Sequence, residues 1–290
     1  MGLIDNLNEI KRQKDEYIIP ENIKKDITVY GVTGTLEEGD NFEINNGAYL
    51  FYNSARLDIL NSLLKHINNI TDTQYMFYLC TSLTEIPLLD TSNVTNMQQM
   101  FTECTNLTSI PLLDTSKVTN MGSIFYNCNK LTTIPLLDTS KVTNMNSMFS
   151  GCKALTSLPQ LDLSSVTQLG GTFYNCISLT SIDLDFIPSF NIVTSMGYMF
   201  QNCSKLENIS FGNIDNINRA TDVNSFAGTF NNCPKLNNET LNRILKLLPK
   251  LKPNTASTLK AFGLSSTQAT ICQTLSNYQD FIDAGWSTGY

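Results

Sequence analysis

Eight cysteines carry most of the reactive chemistry in this 290-residue chain, and seven of them recur regularly. They lie 24 residues apart at first, then 27 and 30 apart, each three residues after a phenylalanine: Cys80, Cys104, Cys128, Cys152, Cys176, Cys203 and Cys233. Equivalent residues of stacked repeats point the same way about 4.8 Å apart. Such thiols neither converge on a metal ion nor face each other as a disulfide requires. We therefore expect free, buried thiols that fill the interior, with no metal site and no cofactor.

Little else in the sequence suggests catalysis. The single histidine, His66, falls in a segment with amphipathic helical spacing, and acid–base or nucleophilic catalysis needs several groups that act together. Asp90, Asp114 and Asp138 form a repeated column in which each aspartate precedes a Thr-Ser pair. Such a column could bind calcium, but no second oxygen-rich column accompanies it, so capping of turns or helix starts is the expected role. We expect no catalytic residues and a protein that is not an enzyme.

Two other columns are candidates for ligand binding. The first would line the exposed side of a sheet with hydroxyl groups able to hydrogen-bond a glycan: Thr84, Glu85, Thr108, Ser109, Thr132, Thr133, Thr156, Ser157, Thr180 and Ser181. In the second, Tyr78, Tyr126 and Tyr174 follow alternate phenylalanines, which places them about 10 Å apart, a spacing at which sugars can stack on aromatic rings. Threonine and serine also suit any exposed strand, and tyrosine is common on surfaces, so both alternatives stay open.

The repeat that must position these residues reads roughly M-F-x-x-C-x-x-L-T-x-I-P-L-L-D-T-S-K-V-T-N-M. A fixed period of this length predicts a solenoid, because one coil cannot bury its apolar side alone. Leu107, Ile110 and Leu112 have the spacing of a short strand, and the proline after the isoleucine should keep that strand very short. The apolar residues of the segment 94–104 are spaced as on a short helix. The expected fold is an α/β solenoid, a leucine-rich-repeat-like right-handed stack of 24-residue coils, each with a short parallel strand and a short helix.

The regular repeats divide the chain into a solenoid and its two ends. The amphipathic spacing over 55–67 predicts a helix in an N-terminal cap, and two helices over 239–248 and from 265, where a capping box begins, predict a C-terminal cap. The expected parts are a small attachment or oligomerisation segment over 1–40, the N-terminal cap over 41–69, the solenoid over 70–236 and the C-terminal cap over 237–290. Longer spacing near the end of the solenoid predicts projecting loops or bulges.

Charge and hydropathy exclude several classes of partner. The net charge is −7, and the repeats hold more acidic than basic residues, so phosphate backbones and anionic lipids would be repelled. No apolar run reaches the length of a membrane helix, and residues 1–13 lack the apolar core of a secretion signal. We expect a protein made in a cytosol that binds no nucleic acid and does not insert into a membrane.

The motif Met-Phe-x-x-Cys, followed by Leu-Thr-x-Ile and then by Asp-Thr-Ser-x-Val-Thr-Asn-Met, resembles the BspA-type leucine-rich repeats of bacterial surface proteins and of prophage-encoded proteins of low-GC Gram-positive bacteria. This resemblance covers residues 70–236, and it departs from the family at the prolines, where the family often has aspartate. Residues 19–36, with their Val-Tyr-Gly-Val-Thr-Gly-Thr sequence, resemble a segment common in phage tail-fibre and baseplate-associated proteins. Residues 264–286 resemble the ending of repeat proteins from phage tail gene clusters.

Together the resemblances imply a receptor-binding protein of a phage tail or tail-like particle. Such a viral structural protein would be made in the bacterial cytosol, would reside in the virion tail, and would recognise a host cell-surface polysaccharide or protein through its solenoid. Residues 1–40 would bind tail or baseplate proteins, or pack with copies of themselves in a homo-oligomer. The alternative is a bacterial BspA-type surface adhesin or protein-interaction module that does not belong to a phage.

Overall fold

The structure is a computed structural model that describes residues 47–53, 69–184, 193–210, 228–247 and 264–285, and the backbone pairing of 28–29 with 32–33. The described helices and strands are β1 (Thr28–Val29), β2 (Val32–Thr33), β3 (Ser181–Asp183), β4 (Asn208–Ser210), α1 (Asn238–Leu247), α2 (Ser266–Cys272) and α3 (Tyr278–Asp283). Strands β1 and β2 are antiparallel, and strands β3 and β4 are parallel. The predicted N-terminal cap helix over 55–67 lies outside the described residues.

The chain winds into stacked coils joined by one column of parallel backbone bridges. The bridges link successive coils through Asp72, Asn96, Asn120, Asn144, Gln168 and Ser195. Side-chain amides reinforce this column, because the Asn144 Nδ2 group donates to Asn120 Oδ1 at 3.0 Å. The same Asn120 Oδ1 also accepts from the backbone N–H of Gly122 at 3.0 Å. The predicted leucine-rich-repeat-type solenoid is confirmed, and its stack begins before the first predicted repeat, because the N–H of Phe51 donates to Met76 O at 2.8 Å.

The far half of each coil is a run of turns, where the spacing over 94–104 predicted a short helix. Two residues four apart have left-handed backbone conformations in each run, such as Ser123 at φ 55° and Asn127 at φ 56°, and these interrupt any α-helix. Alternate amides therefore bond within the coil and to the next coil: the N–H of Ile124 donates to Met121 O at 3.2 Å, and that of Phe125 to Met148 O at 3.0 Å. Successive turns bury side chains three and four apart as a helix does, so the apolar spacing fits both structures.

The strand half is as short as the prolines predicted. In the proline-containing coils, single backbone hydrogen bonds join this half of one coil to the next, such as the bond from the N–H of Thr108 to Thr84 O at 3.0 Å. A regular pair, β3 with β4, forms where Asp183 and Ser210 occupy the proline position, because the backbone N–H of Ser210 faces β3 where the other coils have a proline. One position differs from prediction, since Leu112 is 62% exposed and its neighbour Leu113 is buried at 3%. The chain leaves the strand at the proline, so strand alternation does not continue to Leu112.

Phenylalanine rings and cysteine thiols form the core of the turn side. Eight rings stack with centroids 5.2–5.8 Å apart and interplanar angles of 4–15°: Phe51, Phe77, Phe101, Phe125, Phe149, Phe173, Phe200 and Phe230. All eight cysteines are free and buried. The repeated thiols also donate a hydrogen bond to the phenylalanine carbonyl of the preceding coil, as Cys128 Sγ does to Phe101 O at 3.1 Å. Each thiol is therefore a donor as well as an apolar filler.

Three helices lie at the C-terminal end of the described residues. Helix α1 buries Leu241, Ile244 and Leu245 and contacts β4, α2 and α3. The predicted capping box is present at the start of α2, because Ser265 Oγ accepts from the N–H of Gln268 and Gln268 Oε1 accepts from the N–H of Ser265. The Gln268 Nε2 group also donates to Cys233 O at 2.7 Å, which attaches the cap to the last cysteine-bearing coil. Across the described ranges, no helix is long and apolar enough to cross a membrane.

Candidate functional site

All ten residues of the predicted hydroxyl column are exposed in the structure. The threonine hydroxyls partly serve the stack itself: Thr108 Oγ1 donates to Thr84 O at 3.1 Å, and Thr132 Oγ1 to Thr108 O at 3.4 Å. Exposed hydroxyl groups at Ser109 and Ser157 then remain the better placed donors for a ligand. The ligand-binding role of the column stays a prediction.

Three exposed leucines form a second surface that sequence reasoning missed. Leu88, Leu112 and Leu136, called the leucine stripe below, are 73%, 62% and 63% exposed at one position of three consecutive coils. They line an open groove of about 680 Å³ together with Asp90 and Asp114 and with Asp138 at its end. The available signal was the doubled leucine of the repeat, because two consecutive residues after a strand cannot both face the core.

The aspartates beside the stripe are anionic turn caps, as the sequence predicted. Asp114 Oδ1 accepts from Ser116 Oγ at 2.7 Å and from the N–H of Ser116 at 3.0 Å, and the same pair of bonds recurs in the coils of Asp90 and Asp138. The hydrogen bond from the Ser116 hydroxyl, the largest cause, and that from the Ser116 N–H, the second, hold the pKa of Asp114 below its usual range. The groove therefore has a leucine side and a row of ionised carboxylates, and no basic residue is among the described residues that line it.

The predicted tyrosines divide between two places. Tyr126 and Tyr174 line one open groove of about 510 Å³ together with Tyr198, which is 51% exposed. Sequence reasoning missed Tyr198 because it lies two residues before Phe200, whereas the predicted tyrosines directly follow a phenylalanine. Tyr78 instead stacks on Tyr52 with ring centroids 4.9 Å apart and an interplanar angle of 8°. Burial is the main cause that raises the pKa of Tyr78, so its phenol stays neutral.

The thiols are the candidate nucleophiles among the described residues, and they are buried. Within the described ranges, no group of three or more His, Cys, Asp or Glu side chains could hold a metal ion. Burial raises the pKa of the Cys104, Cys128 and Cys152 thiols far above the ordinary range and that of Cys176 to about 12, so these four are poor nucleophiles. His66 lies outside the described residues.

Comparison with protein families matches residues 45–154 and 132–243 to a family described as "Mycoplasma protein of unknown function, DUF285". Together these matches span 45–243, which is more than half of the chain. The chain belongs to the DUF285 family. The matched region of this DUF285 protein contains both grooves, whereas residues 1–44 and 244–290 lie outside it. No curated protein matches the chain.

Several solved structures are similar to this DUF285 chain, all at low identity. A leucine-rich repeat protein of T. pallidum is 23% identical with a TM-score of 0.48, and the match covers 63% of this chain and 79% of that one. A leucine-rich cell surface protein of Faecalibacterium prausnitzii A2-165 is 27% identical with a TM-score of 0.38, covering 60% of this chain and 55% of that one. A leucine-rich repeat protein of Eubacterium ventriosum is 23% identical with a TM-score of 0.38, covering 54% and 38%. The DUF285 chain thus spans about half or less of the last two proteins.

Proposed function

We propose that this DUF285 chain is a non-enzymatic interaction module of the surface-adhesin type, which binds a partner protein along the leucine stripe. The observation that carries the proposal is the exposure of Leu88, Leu112 and Leu136 in register. Burying one leucine side chain is worth about 1.5–3 kcal/mol, and soluble proteins seldom leave several large apolar side chains exposed together without a use. Three adjacent leucines would make a substantial part of a binding site.

The groove also indicates the chemistry of the partner. The carboxylates of Asp90, Asp114 and Asp138 stand beside the stripe, and the hydrogen bonds from the following serines keep them ionised at neutral pH. A partner segment that presents apolar side chains to the leucines and basic side chains to the aspartates complements both sides of the groove. A purely acidic segment would be repelled.

A synthetic peptide of alternating leucine and lysine tests this chemistry, with a leucine–glutamate peptide of equal length as its control. We expect the full chain to bind the basic peptide in a salt-dependent manner, measured by fluorescence anisotropy. The double variant Leu112→Ser/Leu136→Ser should weaken binding at least about tenfold, because it removes most of the apolar contact. Ile282→Ser, which removes an exposed apolar side chain of α3 far along the chain from the groove, should not.

Two results would contradict the proposal. Equal binding of the acidic and basic peptides would remove the role of the aspartates, and unchanged binding by the double variant would remove the role of the stripe. Both leucines are exposed, so their replacement by serine should leave the fold intact, and circular dichroism of each variant verifies this.

The finer interpretation, a receptor-binding protein in a virion tail, rests on the resemblance of residues 19–36 to phage tail proteins. The antiparallel pairing of β1 with β2 lies within this segment. Such pairing is common to any hairpin, so we place the adhesin or interaction module first. Finding the full chain in tail particles purified after prophage induction would reverse this order, and its absence there would end the tail hypothesis.

A further inference from the structure

The groove lined by Tyr126, Tyr174 and Tyr198, called the tyrosine groove below, has a gap in its column of tyrosines. Inside the solenoid, the ring of Phe149 stacks between those of Phe125 and Phe173, with centroid distances of 5.5 and 5.7 Å. The residues that follow the two outer phenylalanines are Tyr126 and Tyr174, whereas a serine follows Phe149. The coil between the two tyrosines therefore supplies no third ring to this column.

Tyrosines of this same column do stack when neighbouring coils both provide one. Tyr52 follows Phe51 and Tyr78 follows Phe77, and their rings are nearly parallel with centroids 4.9 Å apart. A ring placed between Tyr126 and Tyr174, which are two coil spacings or about 10 Å apart, would have about 5 Å to each, within the range of ring stacking.

Small residues line much of this groove. They include Ser147, Ser150, Gly170 and Gly171, and Tyr198 lines it as well. Gly171 has a left-handed backbone conformation with φ +60°, and a Cβ there would lie 3.3 Å from Ser147 Oγ. Glycine therefore suits both the backbone and the space at this position.

The lining groups indicate a neutral, hydroxylated ring as the ligand. The described residues that line the groove carry hydroxyl and amide groups, including Asn146 and Ser195, and no charged side chain. A pyranose sugar offers an apolar ring face for the tyrosines and a rim of hydroxyls for the serines and the amide, which is the combination of aromatic walls and few polar groups typical of small-molecule sites. An aromatic side chain of a partner protein would leave the polar floor without hydrogen bonds.

We propose that the gap over Ser150, between Tyr126 and Tyr174, is a binding site for a neutral pyranose of a glycan. The site lies in the turn half of the coils, apart from the leucine stripe, and does not depend on the partner-protein proposal. The tyrosines bind the two faces of the sugar ring, and Ser147 and Asn146 hydrogen-bond its hydroxyls.

The test mixes the full chain with each of a panel of neutral tetrasaccharides built from glucose, mannose, galactose or N-acetylglucosamine. Ligand-observed NMR and calorimetry measure the binding. We expect at least one to bind. Ser150→Tyr should abolish binding, because the new ring fills the gap as the stacked Tyr52 and Tyr78 rings do, and Tyr174→Ala should weaken it about tenfold or more. Tyr52→Ala, an equal loss of aromatic surface in the same column but outside the groove, should bind as the unaltered protein does.

Several outcomes would overturn the proposal. These are the absence of binding to every tetrasaccharide at about 10 mM, binding that persists in both Ser150→Tyr and Tyr174→Ala, and an equal loss in Tyr52→Ala. Competition of the bound sugar by N-acetylphenylalanine amide with higher affinity would reassign the gap to an aromatic side chain of a protein partner. A circular dichroism spectrum and melting curve for each variant separate loss of the site from loss of the fold, and Tyr174→Ala, at an exposed position, carries the test if Ser150→Tyr does not fold.

Discussion

The phenylalanine stack should make an interior coil more sensitive to substitution than a terminal one. Phe125 stacks on two rings, at 5.8 Å on Phe101 and 5.5 Å on Phe149, whereas Phe51 stacks, among the described rings, on Phe77 alone at 5.2 Å. Each such pair contributes about 0.5–1.5 kcal/mol beyond the burial of its area. Replacement by leucine keeps most of the apolar volume and removes the stacking, so Phe125→Leu should lose about 2 kcal/mol and Phe51→Leu about half of that.

Urea titrations followed by far-ultraviolet circular dichroism measure the free energy of unfolding of the two variants. Phe125→Ala serves as a scale, since a full cavity at this buried site should cost about 3–5 kcal/mol. Equal losses for Phe125→Leu and Phe51→Leu would refute the reasoning, because area burial alone would then explain the stability of the stack. A change in the slope of the titration would indicate that coils unfold separately, and the comparison would then use transition midpoints.

The remaining predictions concern the thiols, one glycine and one strand. The native thiols should resist a disulfide reagent at pH 8 and react at the rate of unfolding. Burial raises the pKa of Cys176 to about 12 against an ordinary 9.0, so its contribution to stability is complete below pH 9 and is lost as the pH rises toward 12, which thermal melts at pH 8 to 11 would reveal. Gly285→Ala should cost roughly 1–2 kcal/mol of backbone strain, because Gly285 has a left-handed backbone and open space around it. Gly151→Ala should destabilise the fold by more, because the new Cβ at Gly151 would also meet Asn127 Oδ1. Equal unfolding free energies for the two variants would contradict this. Ser210→Pro should remove the backbone hydrogen bond from β4 to β3 at this position and increase amide hydrogen exchange in β3, and unchanged exchange there would show that the bond is not needed.

Local features of the fold could be predicted because they depend on neighbours in sequence. The proline after the isoleucine lacks an N–H, so the short strands followed directly, as did the capping box of Ser265 and Gln268. The Asp-Thr-Ser turn caps also use partners two residues apart, as between Asp114 and Ser116. Each of these interactions is decided within a few residues of the chain.

The turn runs and the tyrosine groove could not be predicted in the same way. Gln99 and Glu103 have left-handed backbones at φ 56° and 64°, although neither residue type favours that conformation. The hydrogen bonds between coils stabilise them, such as the one from the N–H of Glu103 to Tyr126 O at 2.7 Å. Tyr198 likewise joins Tyr174 in one groove although the two residues occupy different positions of their repeats.

By itself the sequence determined the period, and with it the solenoid, the alignment of the cysteines and the burial of their side chains, because a fixed repeat places equivalent residues in one column. Only the tertiary structure decided between helix and turns, between Leu112 and Leu113 as the buried leucine, and which tyrosines face one groove. The physical reason is that a spacing of three and four residues describes which side chains share a side of the coil, while the partners of the backbone amides lie a whole coil away.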